Sequence, residues 1–167
     1  MVPRHLAPFL RKSTKSVLVL GPRQTGKSTL IRSLSPDLAI NLVQESTFLE
    51  FARNPRELEQ RLAATRYQTV FVDEVQRLPQ LLNTIQAILD EQPRAPKFYL
   101  TGSSARKLKR GKANLLPGRL HTYWLGPLAA SELDYHLDTE DALSTGTLPG
   151  MWMEKEVGGL DSDWLPR

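Results

Sequence analysis

The segment that most constrains the fold of this chain is GPRQTGKST, residues 21–29, which directly follows the apolar run of residues 17–20. It satisfies the pattern Gly-x4-Gly-Lys-Ser of phosphate-binding loops. Glycines let the backbone turn so that consecutive amides point at phosphate oxygens, and a helix beginning near Lys27 adds the positive end of its dipole. Because an apolar strand precedes the loop and a helical pattern follows it, the segment predicts a phosphate site at the end of a buried strand.

Each residue type in this loop has a chemical reason to be there. We expect Lys27 to reach the β- and γ-phosphates of a nucleotide and the Ser28 hydroxyl to bind magnesium. The residues predicted to contact the phosphates are Gly21, Pro22, Arg23, Gln24, Thr25, Gly26, Lys27, Ser28 and Thr29. The predicted ligands are therefore ATP, or another nucleoside triphosphate, and Mg²⁺.

Two carboxylates, Asp73 and Glu74, end the apolar run of residues 69–72. Such a run is typical of a parallel strand buried on both faces. Behind a phosphate loop, Asp73 is predicted to hold magnesium through water, and Glu74 to orient and polarise an attacking water. Solvated acids at a loop are the alternative. The pair favours ATPases over GTPases, since the sequence has no Asn/Thr-Lys-x-Asp element for reading guanine.

A third polar group, Gly102-Ser103-Ser104, follows the apolar residues 98–101. In ATPases with a catalytic glutamate, such a strand is inserted between the strand before the phosphate loop and the strand that carries the acids. We expect the Ser103 hydroxyl to hydrogen-bond the γ-phosphate or the attacking water, with Thr101 and Ser104 as alternatives. A helix N-cap at Ser103 or Ser104 is the competing interpretation.

Apolar, β-branched runs alternate with amphipathic helical stretches along the chain, which predicts an α/β fold with a parallel sheet. The predicted strands are residues 16–20, 38–42, 69–72, 97–101 and 122–125. The predicted helices are residues 4–12, 27–34, 45–53, 55–64, 79–91 and 127–137. We expect a P-loop NTPase sandwich with strand order 5-1-4-3-2 and the nucleotide at the carboxyl ends of the strands. The nucleotide-binding domain is predicted over 1–146, with an irregular tail over 147–167.

Composition narrows the class of protein. The chain has no cysteine, which excludes disulfides, thiolate zinc sites and cysteine nucleophiles. No run approaches the ~18 apolar residues of a membrane span, and the basic N-terminal segment lacks the apolar region of a signal peptide. We therefore expect a cytoplasmic protein that does not contact a membrane. The net charge of +4 permits an anionic ligand without identifying nucleic acid.

The segments GPRQTGKSTLI, VFVDEVQRLP, FYLTGSSARKL and LLPGRLHTYWLGPLAASEL, in this order, resemble prokaryotic AAA-type ATPases. The resemblance covers roughly residues 1–150. It implies a catalytic role for Arg119, because such ATPases carry an arginine soon after the strand that precedes the Ser103 position. In these ATPases that arginine often acts at the nucleotide of a neighbouring subunit. A structural arginine is the alternative. Arg23 and Gln76 also fit the family. Arg23 is predicted to contact phosphate as part of the loop, and no chemical role is predicted for Gln76. The C-terminal domain that usually follows in this family is not expected here.

Together these motifs predict magnesium-dependent hydrolysis of ATP to ADP and phosphate, driving a conformational change in a partner or in a homo-oligomer. One alternative is a scaffold that binds ATP with little turnover. Another is a nucleic-acid-interacting domain that uses RKLKRGK, residues 106–112, whose five cations would give salt-dependent binding to phosphates. No aromatic residues interleave this basic cluster, so base stacking is not indicated and a solvated surface is preferred.

Overall fold

The computed structural model of the protein describes residues 2–104, 108 and 118–156. Its strands are β1 (Ser16–Leu20), β2 (Leu38–Asn41), β3 (Thr69–Asp73), β4 (Lys97–Gly102) and β5 (Leu120–Trp124). Within the described residues they form one parallel sheet in the order β2-β3-β4-β1-β5. Read from the other edge, this is the predicted order 5-1-4-3-2. The predicted α/β fold and strand order are therefore confirmed.

Helices connect the strands and cover both faces of the sheet. They are α1 (Ala7–Lys12), α2 (Lys27–Arg32), α3 (Glu45–Arg53), α4 (Glu57–Ala64), α5 (Leu81–Glu91), α6 (Thr139–Thr145) and α7 (Pro149–Glu156). Single 3₁₀ turns lie at Val75–Arg77 and Ala130–Leu133. Apart from the regions discussed below, the predicted helices and strands agree with these bounds to within a few residues at each end.

Side chains of the central strands alternate between two cores, one on each face of the sheet. In β1, Leu18 and Leu20 belong to the core that contains α5, whereas Val17 and Val19 belong to the core that contains α1 and α2. All five residues of β1 are buried. Since burying one aliphatic side chain stabilises by about 1.5–3 kcal/mol, a strand covered on both faces gains most when it is apolar throughout. This explains why the central strands lack a polar alternation.

The helix predicted over residues 127–137 is wrong. The structure has only the 3₁₀ turn Ala130–Leu133 there, and the chain then passes through left-handed conformations at Asp134 (φ 49°) and Tyr135 (φ 59°). A residue with positive φ cannot continue a right-handed helix. The chain therefore forms a short turn after β5 instead of a helix.

The irregular tail predicted over residues 147–167 also differs from the structure, because α7 occupies Pro149–Glu156. Proline suits the first turn of a helix, where its missing N–H is not needed. Residues 157–167 lie outside the described part of the chain. The domain boundary at residue 146 stays a prediction.

The close packing of Gly21 against β5 generates a stability prediction. A Cβ atom on Gly21 would lie 2.0 Å from the carbonyl oxygen of Leu125, whose own N–H donates to Leu20 O at 2.7 Å. The atoms nearest to this Cβ all belong to the backbone of Leu125, which cannot move aside like a flexible side chain. We therefore expect Gly21→Ala to lower the free energy of unfolding by about 3 kcal/mol or more. Urea titration followed by circular dichroism measures this change. Gly126→Ala is the matched control, since a Cβ there meets no atom within 4 Å; equal losses in both variants would contradict the explanation.

Candidate functional site

Three polar segments meet at the carboxyl edge of the sheet because the strands that carry them are neighbours. The 21–28 loop, whose last two residues are the first two of helix α2, follows β1; the acidic pair Asp73–Glu74 lies at the end of β3, and Ser103 follows β4. Strand β4 lies between β1 and β3, so Ser103 emerges between the loop and the acids. The inserted strand expected from the sequence is thus β4, and the candidate site is the edge that these segments share.

The 21–28 loop turns through left-handed backbone conformations before helix α2 begins. Gln24 has φ 64° and Gly26 has φ 83°, and Gly26 directly precedes the first residue of α2. Inside the loop, the hydroxyl of Thr25 donates to Pro22 O at 3.0 Å. Glycine adopts a left-handed conformation without steric cost, whereas most other residues are strained in it. The pattern of glycines therefore fits a tight turn that ends in a helix.

Lys27 is buried beneath this loop. Its ammonium group donates to the carbonyl oxygens of Gly21 at 2.9 Å and Pro22 at 2.5 Å. Burial lowers the pKa of Lys27, and the negative charges of Glu74 and Asp73 oppose that change. A buried ammonium beside two carboxylates is a cluster of interacting charges of the kind that marks functional sites.

Asp73 is the hydrogen-bonding centre of the site. Its Oδ1 atom accepts from the hydroxyls of Ser28 at 2.7 Å and Thr101 at 2.5 Å. The guanidinium of Arg32 approaches its Oδ2 atom to 3.9 Å. The hydroxyl of Ser28 and the carboxylate of Asp73 therefore lie next to each other. This pair suits Mg²⁺, which is usually held by one or two protein oxygens together with phosphates and water.

Glu74 lies beside Asp73 in a left-handed conformation, with φ 56° and ψ 49°. Its backbone N–H donates to the Thr101 hydroxyl at 3.1 Å, and its Oε2 atom accepts from the Ser103 hydroxyl at 3.0 Å. The amide of Gln76 also donates to Oε2. A left-handed non-glycine residue costs about 1–3 kcal/mol, and such residues cluster at functional sites. Thr101, expected as an alternative to Ser103, instead serves Asp73 and the backbone of Glu74.

A cavity of 1310 Å³ joins these groups to an apolar region built from both ends of the described chain. Its polar lining comes from the loop, the two acids and Ser103. Its apolar lining includes Val2, Pro3, Leu128, Leu148, Pro149 and Met151, and Pro149 lies close to Gly26 of the loop. This apolar lining could not be predicted from the sequence, because its residues lie far apart along the chain and share no period.

Arg4 is a site residue that the sequence did not reveal. Its guanidinium donates to Thr25 O at 2.8 Å, to Gly126 O at 2.8 Å and to Glu132 Oε1 at 3.0 Å. The side chains of Arg4 and Glu132 are only 8% and 6% exposed. One guanidinium thus ties the N-terminal segment to the 21–28 loop and to the segment after β5. A sequence signal for it was absent, since its partners are up to 128 residues away.

Arg119 is not brought to the site within this chain. It immediately precedes β5, and the pairing of Leu120 with Ser16 puts it at the amino edge of the sheet, whereas the loop follows the carboxyl end of β1. Because a strand rises about 3.3 Å per residue, at least roughly 13 Å separates the two edges. Arg119 instead pairs with Asp90 at 2.6 Å. The structure therefore does not bring Arg119 to this site within the chain, and its catalytic role stays a prediction.

Two kinds of feature are absent from the described residues. No group of three or more His, Cys, Asp or Glu side chains there could hold a metal by itself. None of the described helices has the length and apolar character needed to cross a membrane. The basic cluster of residues 106–112 lies outside the described part of the chain, except for Leu108.

Residues 13–134 match the family model of the AAA domain. Uncharacterized proteins of Mycobacterium bovis and Mycobacterium tuberculosis are each 30% identical to the chain over 122 residues. That match covers 70% of this chain and 26% of each relative, so the chain spans about a quarter of their length.

Two solved structures are also similar to the chain. The Pif1 helicase of Candida albicans matches with a TM-score of 0.47 and 16% identity, covering 81% of this chain and 42% of that chain. A structure that describes DNA unwinding at forked double-stranded DNA by two coordinating Pif1 helicases matches with a TM-score of 0.51 and 14% identity, covering 84% of this chain and 50% of that chain. At this identity, the second match is evidence of a shared fold alone.

The buried pair of Arg4 and Glu132 generates a pH prediction. Burial alone would raise the pKa of Glu132, but hydrogen bonds from the amides of Ala129 and His5 and from Arg4 hold it below its ordinary value of 4.5. Ionised Glu132 therefore contributes its full stability above about pH 4.5, and this contribution is lost as the pH falls through the lower folded-state pKa.

We expect Glu132→Gln to lower the free energy of unfolding by about 2 kcal/mol near pH 7, because charged hydrogen bonds are lost. The difference from wild type should narrow as the pH falls below about 4.5. Urea midpoints across this range measure it. Glu59→Gln removes the same charge from an exposed helix position and should change little. A Glu132→Gln deficit that stays constant down to about pH 3 would contradict the linkage.

Proposed function

The chain belongs to the AAA domain family of nucleotide-binding P-loop NTPases, and we propose that it binds ATP with Mg²⁺ and hydrolyses it to ADP and phosphate. The observation that carries the proposal is the contact between Ser28 Oγ and Asp73 Oδ1 at 2.7 Å, with Glu74 next to it. The Ser28 hydroxyl and the Asp73 carboxylate would serve as a pair of magnesium ligands. The carboxylate of Glu74 would serve as the base that accepts a proton from water.

The phosphates would bind in the 21–28 loop, next to the ammonium group of Lys27. Backbone amides of the loop and the buried ammonium of Lys27 would bind the β- and γ-phosphates in place of the carbonyl oxygens that Lys27 now contacts. Ser28 and Asp73 would hold Mg²⁺, which when bound neutralises phosphate charge. Support for this assignment comes from the burial of Lys27 and Asp73 in one polar region.

Glu74 is the residue that we assign to the chemical step. Its carboxylate would orient a water molecule whose oxygen forms a bond to the γ-phosphorus while the bond to the β,γ-bridging oxygen breaks. The proton of the water passes to Glu74, and ADP leaves with the bridging oxygen. Ser103 has one proton to donate: it holds this carboxylate at 3.0 Å, and it would turn that proton to the γ-phosphate when nucleotide binds.

The apolar lining of the cavity is where we expect the nucleobase. Val2, Pro3, Leu148 and Met151 offer a surface on which a planar ring can pack. Hydrolysis would then change the contacts among the loop, the N-terminal segment and α7, which all line one cavity. Such a change could act on a protein partner or on a neighbouring copy of the chain, with Arg119 reaching the neighbour's nucleotide.

A scaffold that binds ATP with little turnover is the second candidate. The observation that favours it is that Glu74 Oε2 is already held by Ser103 and Gln76 within the chain. With Glu74 held in this way, the chain could bind nucleotide through its loop and Lys27 without activating water. The nucleic-acid alternative depends on residues 106–112 and stays a prediction.

Phosphate release and ATP affinity, measured over a range of protein concentration, separate the two candidates. We expect Lys27→Ala to lose most ATP binding, and Glu74→Gln to bind ATP like wild type while kcat falls by about 100-fold or more. Lys15→Ala and Glu59→Gln are exposed controls for these charge changes. ATP binding without phosphate release by the wild type would contradict hydrolysis and leave the scaffold as the function.

Arg119 gives a prediction about assembly. If it acts at a neighbouring subunit, Arg119→Ala should lose turnover by about 100-fold or more and retain ATP affinity. Mixing Arg119→Ala with Glu74→Gln should restore part of the turnover, because some interfaces then contain both wild-type residues. Asp90→Asn is the control, since an exposed ion pair contributes about 0–1 kcal/mol. Equal loss in Asp90→Asn, with no recovery on mixing, would assign Arg119 to structure.

A further inference from the structure

Gln76 lies between two groups of the site, although the proposed chemistry gives it no task. Its Nε2 atom donates to Glu74 Oε2 and, at 3.0 Å, to Ser103 Oγ. The Ser103 hydroxyl in turn donates to the same Glu74 oxygen. These three side chains form a closed triangle of hydrogen bonds. Gln76 and Ser103 therefore donate to the same oxygen of the Glu74 carboxylate, Oε2.

The other end of the Gln76 amide is unusual. Its Oε1 atom is buried and has no hydrogen-bond partner among the described residues. An unsatisfied buried acceptor costs about 1–3 kcal/mol and needs an explanation. A Cβ atom at Gly102 would lie 2.9 Å from Oε1, so glycine at this position leaves room for the amide. Simple packing would be better served by an apolar side chain than by this amide.

The backbone under Gln76 is held firmly by its neighbour. Gln76 occupies the middle of the 3₁₀ turn Val75–Arg77. Arg77 donates to Val43 O at 2.6 Å and to Glu45 Oε2 at 2.8 Å, which fixes the turn to the start of α3. A side chain on a fixed turn can hold a functional group in one place better than one on a loose loop.

We propose that Gln76 is a positioning residue, which rests on the proposed hydrolytic role of Glu74. The amide of Gln76 and the hydroxyl of Ser103 hold Glu74 Oε2, so that Oε1 of Glu74 is the oxygen that orients the attacking water. Glu74 has a flexible side chain and needs such support to act at a defined point. Since a misplacement of about 1 Å can cost about 100-fold in rate, loss of the amide should appear in kcat.

Two substitutions separate positioning from packing. Gln76→Leu removes the amide, and Gln76→Glu keeps the shape but replaces the N–H donor with an acceptor that repels Glu74. We expect both to lower kcat by about 10- to 100-fold with ATP affinity unchanged within about threefold. Wild-type kcat in Gln76→Glu would overturn the inference, because a packing role needs only the shape.

The same substitutions in a Glu74→Gln background test whether Gln76 acts through Glu74. Single-turnover measurements with excess enzyme record the residual rate. We expect Gln76→Leu to have no further effect there, because residues that act as a unit are not additive. A further loss of the same factor would show that Gln76 acts independently of Glu74 and would overturn the inference.

Gly102→Ala displaces the amide without changing its chemistry. We expect it to lower kcat in the wild type and to have no effect in Gln76→Leu, which has no amide to displace. A Cβ at Gly102 would also lie 3.2 Å from Leu20. An equal loss in both backgrounds would assign the effect to that apolar contact and count against the inference.

A measurement on the protein without nucleotide keeps this inference distinct from the proposed function. The side-chain amide signal of Gln76, assigned by its loss in Gln76→Leu, should shift in nitrogen–proton correlation spectra of Glu74→Gln and Ser103→Ala. Glu59→Gln should leave it unchanged. If the wild type shows no turnover, hydrolysis fails as the function, and these spectra alone decide the contact. An amide signal that ignores Glu74→Gln would overturn the positioning contact itself.

Discussion

The site depends on the carboxylate of Asp73, which joins three strands of the sheet at their carboxyl ends. Through Oδ1 it accepts from Ser28, after β1, and from Thr101, on β4, while it ends β3 itself. Hydrogen bonds to a buried charged acceptor are stronger than those between neutral groups, and they are costly to leave unmade. The loop, the acids and the inserted strand therefore hold one another in register before any ligand is present.

From this centre, the network extends to Glu74 by two routes. Thr101 accepts the backbone N–H of Glu74, and Ser103 and Gln76 hold its side chain. The left-handed backbone of Glu74 is stable only because these contacts fix it from several directions. The proposed magnesium ligands and Glu74, the residue proposed to orient water, thus belong to one connected network. In such a network, a change at one group is expected to alter the others.

The apolar lining of the cavity comes from segments outside the sheet. Arg4 ties the N-terminal segment to the loop and to the chain after β5, and Leu128 N donates to Thr147 O at 2.7 Å just before α7. The polar lining is therefore built on the carboxyl edge of the sheet, whereas the apolar lining comes from segments that long-range hydrogen bonds join to one another.

Local sequence determined the sheet, the phosphate loop and the acidic pair, because strand burial, glycine spacing and carboxylates at strand ends are properties of a few consecutive residues. The strand order was also predictable, since the inserted strand follows from the kind of site that the acids indicate. Tertiary structure alone decided the pairing of Arg4 with Glu132 and the orientation of the Gln76 amide. It also decided the place of Arg119 beside Asp90 and the turn where a helix over residues 127–137 was predicted. Each of these depends on contacts between residues far apart in the chain or on a left-handed turn, and neither leaves a periodic pattern in the sequence.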